Sequence, residues 1–148
     1  MSKQVMEHAR IDISQNLDGE PVVHACFDLG AQETAASAHA VAATADERFR
    51  RSTLSADEVL ELRELTALAD ELGELGSGAG TLVLRPARLA AYRDAVARFV
   101  ETRDTAEWMR DGDREPLALL RELLFSLEQL CAEATRAALS PSDDRSRR

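Results

Sequence analysis

Apolar and polar residues alternate between residues 7 and 29. Ala9, Ile11 and Ile13 alternate with His8, Arg10, Asp12 and Ser14. After Asn16-Leu17-Asp18-Gly19, the residues Val23, Ala25, Phe27 and Leu29 alternate with His24, Cys26 and Asp28. A period of two predicts a half-buried antiparallel pair, an N-terminal β-hairpin. The loop decides its register. A two-residue Asp18-Gly19 turn would set Ile13 against His24 and Ile11 against Cys26, apolar face against polar face. A three-residue loop, Leu17-Asp18-Gly19, sets Ile13 against Val23, Ile11 against Ala25 and Ala9 against Phe27. It also puts Gly19 at the left-handed position of a type I turn with a G1 bulge. A single buried face selects the second register. The polar face then pairs Asp12 with His24 and His8 with Asp28, favourable cross-strand neighbours.

The period changes after Leu29. From Ala31 to about Arg51 the chain is alanine-rich without Pro or Gly, which predicts a helix. Its apolar face is thin: Ala35, Ala38, Val41, Ala42, Ala45 and Phe49. Ser55, with Glu58 three residues later, is a capping-box signature. Val59, Leu62, Leu65, Leu68, Ala69, Leu72 and Leu75 mark one face of the helix it opens. Gly76 falls where a left-handed C-cap residue is expected. Residues 81–85 predict a third short strand, and Pro86 suits the first turn of a third helix. That helix carries Leu89, Tyr92, Val96, Phe99 and Val100 and ends near Glu107. Pro116 opens the last helix. There Leu120, Leu123, Leu127, Leu130, Ala134 and Ala137 recur three and four apart, and Leu117, Leu124 and Cys131 broaden the face. Residues 140–148 read as a disordered tail.

The fold class predicted is α+β: an N-terminal hairpin, with a candidate third strand at 81–85, packed against about four helices. Residues 1–139 are expected to form one compact domain, which suits a chain of 148 residues. Aromatic residues make up only 4% of the chain, so the core must be mostly aliphatic.

Charge narrows the partners. A formal net charge of −9 repels nucleic acid and anionic membranes, and no long run of Lys or Arg offsets it. No uncharged apolar stretch approaches the ~18 residues of a bilayer span. No apolar leader follows Met1, and two distant cysteines are not a disulfide framework. The expectation is a cytoplasmic protein.

The glycine cluster Gly73, Gly76, Gly78 and Gly80 is the first candidate for chemistry. A dinucleotide fingerprint needs a strand before its glycines and a helix after them, so that phosphate meets a helix N-terminus. Here the order is reversed. A phosphate would meet the negative end of a helix dipole and Glu74. No Gly-Lys-Ser/Thr follows either, so the cluster reads as a helix stop and connector.

The hairpin's polar face carries metal-ligand types: His8, Asp12, His24, Cys26 and Asp28. Its two His–Asp pairs lie ~13 Å apart at strand spacing, too far to share one ion. No metal site and no cofactor is assigned. Cys26 on a strand near Asp28 lacks the setting of a reactive thiolate. No nucleophile elbow and no Ser-x-x-Lys occurs. No catalytic residue is assigned, and the chain leans away from being an enzyme.

Two function classes remain. The first is a non-enzymatic interaction or regulatory protein, acting through a helical surface or the hairpin's polar face, with self-association as a homodimer in view. Trp108, the single Trp, and His24 are its candidate contacts. The alternative is a small-molecule-binding protein or enzyme with a pocket between sheet and helices. Arg85, Arg88 and Tyr92 would meet an anionic ligand there.

Overall fold

In a computed structural model, which describes residues 6–51, 53–75, 79–104 and 114–139, the chain begins with strands β1 (Met6–Gln15) and β2 (Pro21–Leu29). The turn between them has the three-residue loop expected. The Gly19 N–H donates to the Asn16 carbonyl and the Asn16 N–H to the Glu20 carbonyl, both at 3.0 Å. The Asn16 side-chain oxygen accepts from the N–H groups of Asp18 and Glu20 at 3.0 and 2.9 Å. Gly19 has φ +81°, a left-handed conformation that glycine adopts without steric cost. The strands are antiparallel with Ile13 opposite Val23, Ile11 opposite Ala25 and Asp12 opposite His24, the register chosen from the buried face.

The expected Ala9–Phe27 pair does not form. The register shifts between Glu7 and Arg10, so His8 and Ala9 share the space opposite Phe27. Among the described residues His8 is the non-glycine residue with positive φ, at 55°. Such bulges occur on edge strands, where they add twist and interrupt a ladder open to other chains. Ala9 offers too little apolar area to hold the regular alternation against that tendency.

The third strand is β3 (Gly80–Leu84), antiparallel to β2, giving the sheet order β1-β2-β3. Leu82 lies opposite Phe27 and Leu84 opposite Ala25. Gly80 begins the strand where the Leu75 side chain fills the space a Cβ would need. Gly73 lies within a helix; Gly76, with its expected cap, and Gly78 lie outside the described residues.

Four helices complete the fold: α1 (Ala31–Phe49), α2 (Ala56–Leu75), α3 (Pro86–Asp104) and α4 (Arg114–Leu139). The capping box of α2 is formed. The Glu58 N–H donates to Ser55 Oγ at 3.2 Å, and the Ser55 N–H donates to Glu58 Oε1 at 3.1 Å. Leu62, Leu65, Leu68 and Leu72 of α2 are buried, with Leu117, Leu120, Leu123, Leu127 and Leu130 of α4 and Leu89, Tyr92, Val96 and Val100 of α3. Burying one leucine contributes roughly 1.5–3 kcal/mol, against about 0.2–1 kcal/mol for a surface ion pair. The leucine stripes hold the helices together, and the charges refine their angles. Val59, expected on the α2 face, is exposed in the first turn. The α4 helix starts two residues before Pro116, whose ring still falls in a first turn that needs no amide donor.

The α1 helix turns inward only part of the face its alanines predict, and Ala38 packs on the core. Val41 and Ala45 are buried, but Ala35 and Ala42 face solvent and Phe49 is 66% exposed. The inner face carries Thr34, Ser37 and Thr44. Their hydroxyls are satisfied, which removes the cost of burying them. Thr34 donates to the Gly30 carbonyl at 2.8 Å, and Thr44 to the Ala40 carbonyl at 3.0 Å and the Ala95 carbonyl at 3.4 Å. Ser37 Oγ shares a hydrogen bond with the Tyr92 hydroxyl of α3. Small side chains let α3 approach closely, and the hydroxyls tie the two helices at named atoms.

Ion pairs bridge α1 to α2 and to α3. Arg48, its side chain 12% exposed, donates to Glu58 at 3.0 Å and Glu61 at 3.4 Å. Arg51 reaches Glu58 at 2.8 Å, and Arg98 reaches Glu47 at 2.6 Å. Among the described residues no helix is long and apolar enough to cross a membrane.

Candidate functional site

The sheet has two unlike faces. Val23, Ala25, Phe27, Leu29, Leu82 and Leu84 lie on the inner face and are buried under the helices. Arg10, Asp12 and Ser14 of β1, His24, Cys26 and Asp28 of β2, and Thr81 and Val83 of β3 lie on the outer face. Alternation along three registered strands produces this segregation.

Two small networks order the outer face. At one end, Asp28 takes a hydrogen bond on each carboxylate oxygen. His8 Nδ1 lies 2.7 Å from Oδ2, and the Thr81 hydroxyl donates to Oδ1. Those bonds, from Thr81 first and then His8, hold the Asp28 carboxyl below its ordinary range. The bulge at His8 brings this ring to Asp28 although regular pairing is lost. At the centre, Asp12 accepts from the Cys26 thiol at 3.3 Å and from Arg10 Nε at 3.1 Å. Burial pushes the Cys26 thiol up, and the Asp12 carboxylate adds to that shift. A thiol so placed is a weak nucleophile. His24 sits half-buried across from Asp12. Among the described residues no three His, Cys, Asp or Glu side chains converge to hold a metal ion.

The residues considered for an anionic ligand diverge. Tyr92 is fully buried, its ring 6.3 Å from that of Phe27. Burial raises its phenol, which stays neutral. Arg88 is clamped between Glu71 at 2.8 Å and Glu64 at 3.1 Å on α2. Arg88 Nε and Glu71 Oε2 are buried without a partner among the described residues, although both side chains remain partly exposed. Arg85 is exposed at the end of β3. The layer between sheet and helices is filled by Phe27, Leu29, Leu84, Leu89, Tyr92 and Leu120, each under 2% exposed. Trp108 lies outside the described residues.

Thr81 and Val83 are outer-face residues that the strand pattern at 81–85 carries without singling out. Their alternation with the buried Leu82 and Leu84 was the available signal. Compared with known proteins, the chain gives no significant match to a family model, a curated protein or a solved structure.

Proposed function

We propose that this chain is a non-enzymatic interaction protein of the cytoplasm that docks a protein partner across the polar outer face of its sheet. The observation that carries this role is the division of apolar surface. The leucine stripes of α2 and α4, a helical route to a partner, are buried inside the fold. The sheet's outer face remains open, with His8, Asp28, Thr81, Arg10 and Asp12 held in fixed hydrogen bonds. Ordered polar groups lose little entropy on binding and give a partner defined donors and acceptors. The free thiols of Cys26 and Cys131 suit a reducing compartment, and the −9 charge disfavours nucleic acid. Ligand binding between sheet and helices has the filled layer of Phe27 and Tyr92 against it.

A photoreactive phenylalanine analogue tests the role in the natural host. Placed at His24 or Ser14 it should yield one discrete protein adduct, and placed at Leu60 or Phe125, both exposed on helices, it should yield none. Adducts confined to the helix positions would relocate the interface, and silence at every position would remove the proposal.

A further inference from the structure

We propose that the open edge of β3 pairs antiparallel with β3 of a second copy, about a two-fold axis at Val83, joining two sheets into one. The edge borders the partner-docking face at Thr81, Val83 and Asp28, but the pairing itself runs through the β3 backbone, and sedimentation of the purified chain reads it with no partner present.

The two sheet edges differ. β1 is interrupted by its bulge, has a residue at φ 55°, and carries Arg10 and Asp12 outward. These features discourage strand addition. β3 has none of them. It pairs without irregularity from Gly80 to Leu84, holds no charged residue or proline, and lies against β2 on one side only. Among the described residues no strand covers its other side.

The strand is also complementary to itself. With Val83 on the axis, Val83 faces Val83 of the second copy, and Thr81 faces Arg85. Val83 is 54% exposed on an otherwise polar face, so the pairing covers an apolar side chain now in water. Arg85 would share a rung with Thr81 and, one strand further, with Asp28, which lies opposite Thr81. Two strand spacings are about 9.5 Å, within the joint reach of an arginine and an aspartate. The two-fold supplies this contact twice. Centring on Leu82 instead would leave Val83 against Thr81 and Arg85 without that carboxylate. A two-fold perpendicular to the sheet keeps both helical layers on one face.

A five-residue edge is short, and the joined area falls below roughly 1,000 Å². The dimer is therefore reversible, with a Kd on the order of micromolar or weaker. Sedimentation of the full chain should show a monomer–dimer equilibrium. Val83→Lys puts two ammonium groups at the axis and should raise Kd roughly tenfold or more. Circular dichroism should stay native, since the side chain is half outside the core. Disulfide trapping reads the register in a Cys26→Ser, Cys131→Ser background, needed because Cys26 lies across from Val83 on β2. Val83→Cys should link to itself on mild oxidation. Thr81→Cys and Arg85→Cys should link to each other only when mixed. A chain that stays monomeric at about 1 mM, a Val83→Lys variant that dimerises like the parent, or Val83→Cys that fails to link would each overturn the proposal.

Discussion

The hydrogen bond between Ser37 and Tyr92 gives the sharpest test of how α1 and α3 are held. Both residues are fully buried, and the bond is the one the tyrosine hydroxyl makes among the described residues. Ser37→Ala removes its partner. A buried, unsatisfied hydroxyl costs about 1–3 kcal/mol, so this variant should lose about 2 kcal/mol. Tyr92→Phe should cost less, about 1 kcal/mol, because a helical serine can turn its hydroxyl to the carbonyl one turn back. The double variant removes both polar atoms and leaves nothing unsatisfied. It should be more stable than Ser37→Ala alone. Urea unfolding followed by circular dichroism measures all four proteins. With a slope near 2 kcal/mol per molar, the Ser37→Ala midpoint should fall by roughly 1 M. Single losses that simply add in the double variant, to within about 0.5 kcal/mol, would refute the pairing.

The same tyrosine is the only one in the chain, so its ionisation is directly visible by ultraviolet absorbance. Burial raises its phenol above the ordinary value. The unfolded chain ionises near pH 10, so stability should hold below that pH and fall as pH rises beyond it. Tyrosinate appearing with an ordinary midpoint in a still-native protein would contradict the burial. Ser55→Ala removes one half of the α2 capping box and should cost about 1 kcal/mol by urea unfolding. A cost of zero would mean the cap is idle. Glu47 is held below its ordinary range by Arg98, and Glu58 by the Ser55 N–H. Stability should be intact above the ordinary carboxylate range and decline as acid protonates them, and Glu58→Gln should flatten that decline in a pH series. Gly19→Ala must hold an alanine at φ +81° and should cost about 1 kcal/mol, read as a lower thermal midpoint.

Much of the architecture was legible because it rests on local rules. The choice between a two- and a three-residue loop settles which side of β1 meets Val23 and Ala25; Gly19 suits either turn, and the single buried face decides between them. The α2 and α4 stripes are long, strongly periodic and made of leucine, so pattern and burial coincide. The inner face of α1 was legible only in part. Counting apolar residues finds Val41 and Ala45, which are buried, and Ala38, which packs on the core, but it also favours Ala35, Ala42 and Phe49, which face solvent. Thr34, Ser37 and Thr44 enter the core because their hydroxyls find carbonyls or Tyr92 there. The carbonyls of Gly30 and Ala40 lie one turn back and are open to any helical Thr or Ser, whereas Tyr92 and the Ala95 carbonyl are brought there by the tertiary fold and leave no periodic trace. The bulge at His8 was hidden for a related reason, since alternation through Ala9 looks regular until the edge strand twists. The polar face containing His24 was readable from period two. The clamp on Arg88 and the burial of Tyr92 depend on α2, β2 and α1, and spacing along α3 alone contains neither.

Glu58 uses its two carboxylate oxygens for different purposes. Oε1 caps the first turn of α2, while Oε2 receives Arg48 and Arg51 at the end of α1. Helix initiation and helix docking therefore share one side chain. In an isolated fragment the cap can form without the dock, but in the whole chain each positions the carboxylate for the other. The pair α1–α2 is thereby built to open and close as one cooperative unit. Amides of the first turn of α2, which would otherwise fray independently, should exchange with the same opening free energy as the last turn of α1.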